Sequence, residues 1–254
     1  MSTPRHHLKL VLVVLLVSVV MFCGLPVTLF IHSQLPTKIH HRLTLTIESD
    51  GTVYTGSGVI ETVWYPGLKI GGAWFGNIWN VRVRGEAVAV DLGEHGTLFA
   101  LLTGPATPEA GGRHGEFFFP HNPERILLEA FGIEKNRGAV MTQDFLNAIS
   151  KRRDTVDLPL NKLPMLVRFT NLSDPRSVER VDPNNLPASF WPGVRIVSAT
   201  LAITDDPVTT GIEKKLVWLQ APNDKPLNQF RLQDELRSSG SVTGGLATVD
   251  FKQQ

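Results

Sequence analysis

The sequence predicts an α+β chain: one N-terminal transmembrane helix, then a domain with a mainly antiparallel sheet covered by a few helices. Three observations carry that expectation. Leu10 to Ile31 reads LVLVVLLVSVVMFCGLPVTLFI, without a formal charge. Arg42 to Ser49 alternates apolar and polar residues and runs into Asp50-Gly51, a hairpin signal. Farther on, helix starts at Asn122-Pro123-Glu124, Thr142 and Thr210-x-x-Glu213 are interleaved with short apolar runs.

The first stretch contains sixteen Leu, Ile, Val or Phe residues. As a helix its 22 residues would be about 33 Å long, enough for a bilayer core of about 30 Å. Arg5 and Lys9 precede it, so the expected arrangement is a cytoplasmic tail over 1–9, an inner-membrane anchor over 10–31 and a periplasmic C-terminal domain. The membrane is therefore the first expected partner, through Leu10 to Ile31. A cleaved signal peptide, giving a secreted protein, is the alternative. The apolar run is long for one, and Phe22 and Ile31 stand where small residues are needed before a cleavage site. Phe22 also argues against acylation of Cys23.

Beyond a linker over 32–41, which includes His40 and His41, the expected domain covers 42–221 and a loosely held tail covers 222–254. Removing Arg5 and Lys9 from the chain's 25 basic residues leaves 23 against 24 acidic ones. No basic run appears, which argues against nucleic acid as a partner. Cys23 is the chain's single cysteine, so the domain has no disulfide, thiol nucleophile or cysteine metal site.

The elements follow in order. Leu43, Leu45 and Ile47 form one face of a strand. Thr52 to Trp64 is its return strand, with Gly56 and Gly58 marking a bulge or a close backbone approach. Pro66 to Asn80, rich in Gly and Trp, reads as a long loop. Val81–Val83, Glu86–Asp91 and Thr97–Leu102 are further strands. Helices are expected over 123–131 and 142–152, the second with Phe145, Leu146 and Ile149 on one face. Met165–Thr170, Ser177–Val181 and Val194–Thr204 are strands. Leu186–Phe190 is a helical turn, and a helix over 210–219 opens on the capping box. Leu227 to Leu236 is a marginal helix within the tail.

The phrases RLTLTIES, VRGEAVAVDLG, VRFTNLSDPRSVERVDP and ITDDPVTTGIEKKL occur together. As a set they resemble a family of uncharacterised bacterial envelope proteins with one N-terminal hydrophobic segment. The likeness covers residues 36–219. It implies an envelope location and one shared domain, and no activity.

Several chemistries are weighed against structural roles. Thr55 to Ile60 looks like the strand before the catalytic histidine of exported trypsin-like proteases, but the next histidine is His95. His114, Glu116 and His121 are the weak metal candidates, too few for a convincing site. Asp182, Asn184, Asn185, Asp205 and Asp206 lack the alternating acidic spacing of a calcium loop. No cofactor is implied. Trp64, Tyr65, Trp74, Phe75 and Trp79 crowd one Gly-rich stretch. Either the loop folds back and the rings are core, or they meet the membrane interface or a partner, an envelope protein or a glycan, with Trp64, Trp74, Phe75 and Trp79 the candidate contacts.

The leading expectation is a binding or interaction protein held in the periplasm, without enzymatic activity. An envelope hydrolase acting on glycan or peptide is one alternative. It would need carboxylates such as Glu61, Glu86, Asp91 or Glu116 to converge in one cleft. An accessory subunit of an inner-membrane complex is the other.

Overall fold

A computed structural model describes residues 13–14, 18, 35–70, 73–104, 122–132, 142–220 and 248–253. The side chains of 68–70, 73–77 and 248–249 are not among them. The described chain is built mostly of antiparallel strands in two sheets.

Ten strands follow in order: β1 (Thr37–Ser49), β2 (Thr52–Ile70), β3 (Ala73–Glu86), β4 (Val88–Asp91), β5 (Thr97–Ala100), β6 (Thr155–Asp157), β7 (Leu166–Phe169), β8 (Val178–Val181), β9 (Arg195–Ile203) and β10 (Lys252–Gln253). The larger sheet has the order β10-β3-β2-β1-β9-β6, the smaller β4-β5-β7-β8. Helices among the described elements are α1 (Pro123–Ala130), α2 (Gln143–Ser150) and the four-residue α3 (Thr248–Phe251).

This corrects the expected α+β class. The helix expected over 210–219 is two 3-10 turns, Ile212–Lys214 and Val217–Gln220. Gly211 takes a left-handed φ of 112°, and the N–H of Ile212 donates to Glu86 Oε2 at 2.7 Å. A carboxylate from a distant strand thus holds the backbone between the two capping-box residues, and the Glu213 carboxylate that the box would turn back on Thr210 is taken by Lys252 at 3.1 Å instead.

The expected transmembrane helix is also corrected. Among the described residues no helix is long and apolar enough to cross a membrane. Of Leu10 to Ile31 only Val13, Val14 and Ser18 are described, and the rest of that stretch lies outside. Nor does the linker reach His41, because β1 already begins at Thr37.

The β1–β2 turn follows the residue chemistry. Asp50 and Gly51 both have positive φ, 50° and 77°, the backbone a two-residue type I′ turn requires. In β1, Ile39, Leu43, Leu45 and Ile47 are buried in strict alternation. The partner β9 pairs Thr44 with Thr200 and Thr46 with Ser198, then shifts register between Thr46 and Ile47, which leaves Val197 exposed at the bulge.

Pro66 to Asn80 is the largest departure from the expected element plan. That stretch is not a long loop but the far half of a hairpin, with strand on both sides of 71–72. Its glycines and tryptophans masked the strand pattern.

The chain divides into two compact units, one of 1–37 and 64–81, the other of 38–63 and 82–254. Within the second unit, β2 passes directly against β4. A Cβ at Gly56 would lie 2.3 Å from the Ala89 carbonyl oxygen and 2.8 Å from Val90 Cγ2. One at Gly58 would lie 3.0 Å from Val88 Cγ2. These glycines permit a close backbone approach, so β2 keeps its pairing while passing over β4.

The smaller sheet buries Phe99, Leu101, Val167 and Phe169 against Ile212, Leu216 and Phe251. Phe251 comes from the span read as a loosely held tail. Residues 248–253 are part of the fold, whereas 221–247, including the expected helix over Leu227 to Leu236, lie outside the described residues.

Candidate functional site

The hairpin that carries the expected contact residues is made by two long strands. Trp64 begins the part of β2 that belongs to the first unit. Its side chain is buried, and its indole N–H has no hydrogen-bond partner among the described residues. Trp79 is half-buried, and the side chains of Trp74 and Phe75 lie outside the described ones. Among the described side chains of this stretch, the exposed large apolar ones are Tyr65 (37%), Ile78 (43%) and Val81 (38%). Alternation along β2 explains part of this. Trp64 and Tyr65 are neighbours, so one ring is buried while the next faces water.

The second unit contains a charged cluster beside the point where β2 and β3 leave it. Glu61 sits in the apolar run VIETVW of β2, with its carboxylate buried (3% exposed). Its Oε2 is 2.9 Å from Lys38 Nζ and 2.9 Å from His40 Nε2, both on β1. Its Oε1 is 3.3 Å from Arg84 Nη1 on β3. Burial opposes ionisation, but the hydrogen bonds from His40 and Lys38 outweigh it and hold the carboxyl below its ordinary value.

His40 Nδ1 donates to the Asp206 carbonyl at 2.7 Å, and the Asp206 carboxylate takes Arg42 and the Thr204 hydroxyl. Lys38 and Arg84 each place a donor on Glu61 and stay 59% and 52% exposed. The cluster pins three neighbouring strands and leaves positive charge at the surface.

The neighbouring His41 points to the other face of β1, among Ile39 and Leu43. Burial, with a smaller contribution from His40, pushes its pKa down to about 3. Its Nδ1 has no hydrogen-bond partner among the described residues.

Of the other candidate carboxylates, Glu86 and Asp91 have partners of their own away from Glu61. Glu86 accepts the Ile212 N–H and lies 3.5 Å from Lys252 Nζ. Asp91 is bound by Lys215 Nζ at 2.7 Å and by the Gly93 N–H at 3.1 Å, and both hydrogen bonds hold its carboxyl below the ordinary value. Glu116, His114 and His121 lie outside the described residues.

Among the described residues no three His, Cys, Asp or Glu side chains form a group fit to hold a metal. In the stretch weighed for calcium, Asp182 caps its own turn through the Asn184 N–H at 2.8 Å, while Asp205 pairs with Arg153. Ser57 is exposed on β2, and His95 stacks on the Trp191 ring at 3.8 Å.

Sequence reasoning missed the assembly around Glu61. A lone acid inside a run of buried residues was its signal, since a carboxylate there demands cations. It also missed Ile78 and Val81 as exposed residues of the hairpin, whose parity was hidden by the loop reading. Comparison of the chain with protein-family models, curated proteins and solved structures finds no match.

Proposed function

We propose that this chain is a binding or interaction protein of the cell envelope, with the hairpin of Trp64–Val81 as its contact element. The observation that carries the reading is the exposure of Tyr65, Ile78 and Val81 within that one stretch. Large apolar side chains held on paired strands lose little conformational freedom on binding, which suits them as anchors. The occupant is an envelope protein or a glycan, and aromatic side chains serve either. A hydrolase reading needs carboxylates of unlike environment in one cleft. Glu61, Glu86 and Asp91 instead have separate sets of partners.

The test is site-specific photocrosslinking in cells at position 78 of the full chain, alone and with Tyr65→Ser and Val81→Ser. An anchor of this kind contributes about 2 kcal/mol, roughly 30-fold in affinity. The expected result is one dominant adduct that falls at least tenfold in the double variant. Adducts that are absent, or the same with and without those substitutions, overturn the proposal.

A further inference from the structure

The last described segment is held much as a bound peptide would be. Lys252 and Gln253 pair with Glu86 and Gly85, adding β10 to the edge of β3. Two backbone bonds fix the residues before them. The Ala87 N–H donates to the Phe251 carbonyl at 2.8 Å, and the Leu102 N–H to that of Asp250 at 2.7 Å. Such main-chain bonds impose no sequence; specificity falls to the side chains.

Two side chains are read. The Phe251 ring enters an aromatic pocket, its centroid 5.3 Å from Trp218 and 5.8 Å from Phe169. The Lys252 ammonium lies 3.1 Å from Glu213 and 3.5 Å from Glu86. The pair of acids holds the lysine in its charged form, with Glu213 the larger influence. A second observation makes the lysine subsite distinct from ordinary core. Glu86 is a buried carboxylate, and its Oε1, facing Lys252, has no hydrogen bond among the described residues. The intramolecular lysine thus meets this buried acceptor only at the long ion-pair distance of 3.5 Å, which leaves room for an ammonium to approach more closely.

We propose that this groove is a peptide-recognition site occupied by the chain's own segment, and that it accepts in trans an extended peptide carrying an aromatic residue followed by lysine. The proposal is independent of the hairpin reading, which rests on other residues in the other unit.

The probe is a fluorescent peptide of residues 248–254, TVDFKQQ, added to the full chain. In wild type the tethered segment competes at high effective concentration. In Phe251→Ala the ring pocket is vacated. The labelled peptide is expected to bind Phe251→Ala saturably and at least tenfold more tightly than wild type. Lys252→Glu in the peptide is expected to lose that binding, and Glu213→Lys in the chain to recover part of it. A cooperatively unfolding Phe251→Ala chain that gives flat anisotropy overturns the proposal, as does binding indifferent to the lysine.

Hydrogen exchange on wild type provides a readout that no variant can spoil. The Ala87 and Leu102 amides, which lose their acceptors when the segment leaves, are expected to exchange at least tenfold faster than the Leu101 amide bound to Met165. Equal rates at all three make the segment a permanent part of the core and overturn the proposal as well.

Discussion

His40 and His41 are chemically identical neighbours with opposite fates. The pleat of β1 sends one, still partly open to water, to the Glu61 carboxylate and the Asp206 carbonyl, the other among buried aliphatic residues. His41 has a pKa of about 3 in the folded chain and about 6.5 when unfolded. Between those values the unfolded chain takes up a proton that the folded chain refuses. Stability therefore falls as pH drops through that window, by about 2 kcal/mol at pH 5 from this residue alone. His41→Leu removes the titrating group and its unpartnered Nδ1. The urea midpoint of the variant is expected to vary much less between pH 7 and pH 5 than that of wild type. An unchanged pH slope would count against burial as the cause.

Among the elements, β1, β2 and β3 are joined side by side by backbone pairing, and Glu61 adds a side-chain tie across all three. Removing one member of a fully buried ion pair costs about 3–5 kcal/mol. Here the cations reach water, which lowers the cost. Glu61→Gln is expected to destabilise the chain by about 2 kcal/mol at pH 7, measured by urea unfolding. The folded carboxyl titrates below its ordinary value, so the tie is complete above the unfolded carboxylate range and is lost as pH falls through the folded pKa. The difference between wild type and Glu61→Gln should accordingly shrink below about pH 4. A gap that persists in acid would mean that shape, not charge, is what the glutamate supplies.

The stretches around 123–130 and 143–150 were legible as helices because their signals are local. Pro123 follows Asn122 at the start of α1, and the Thr142 hydroxyl accepts the Phe145 N–H at 3.2 Å at the start of α2. The stretch at 210–219 was misread because its capping box is equally local while its outcome is not. Glu86 reaches in from β3 and takes the Ile212 N–H.

For the molecule as a whole, the contact of β2 with β4 is the tightest that the described glycines make. At Gly56 a methyl group would meet a backbone carbonyl, which cannot rotate away as a side chain can. Gly56→Ala is expected to cost about 3 kcal/mol, the upper end for overpacking, as a lowered midpoint in thermal or urea unfolding. Ser57→Ala, at the exposed neighbour, is expected to stay within about 0.5 kcal/mol of wild type. Equal effects at the two positions would contradict the close approach of β2 to β4.

By itself the sequence determined what depends on near neighbours: the Asp50-Gly51 turn, the alternation of β1, the helix starts and the balance of charge. Only the tertiary structure decided which carboxylate met which cation, that Pro66 to Asn80 spans the far half of a hairpin, and that Phe251 returned to the core. The physical reason is range. Turn and cap preferences act over a few residues, whereas Glu61 with Lys38 and Arg84, or Phe251 with Phe169, are brought together only when sheet order and register bring distant strands side by side.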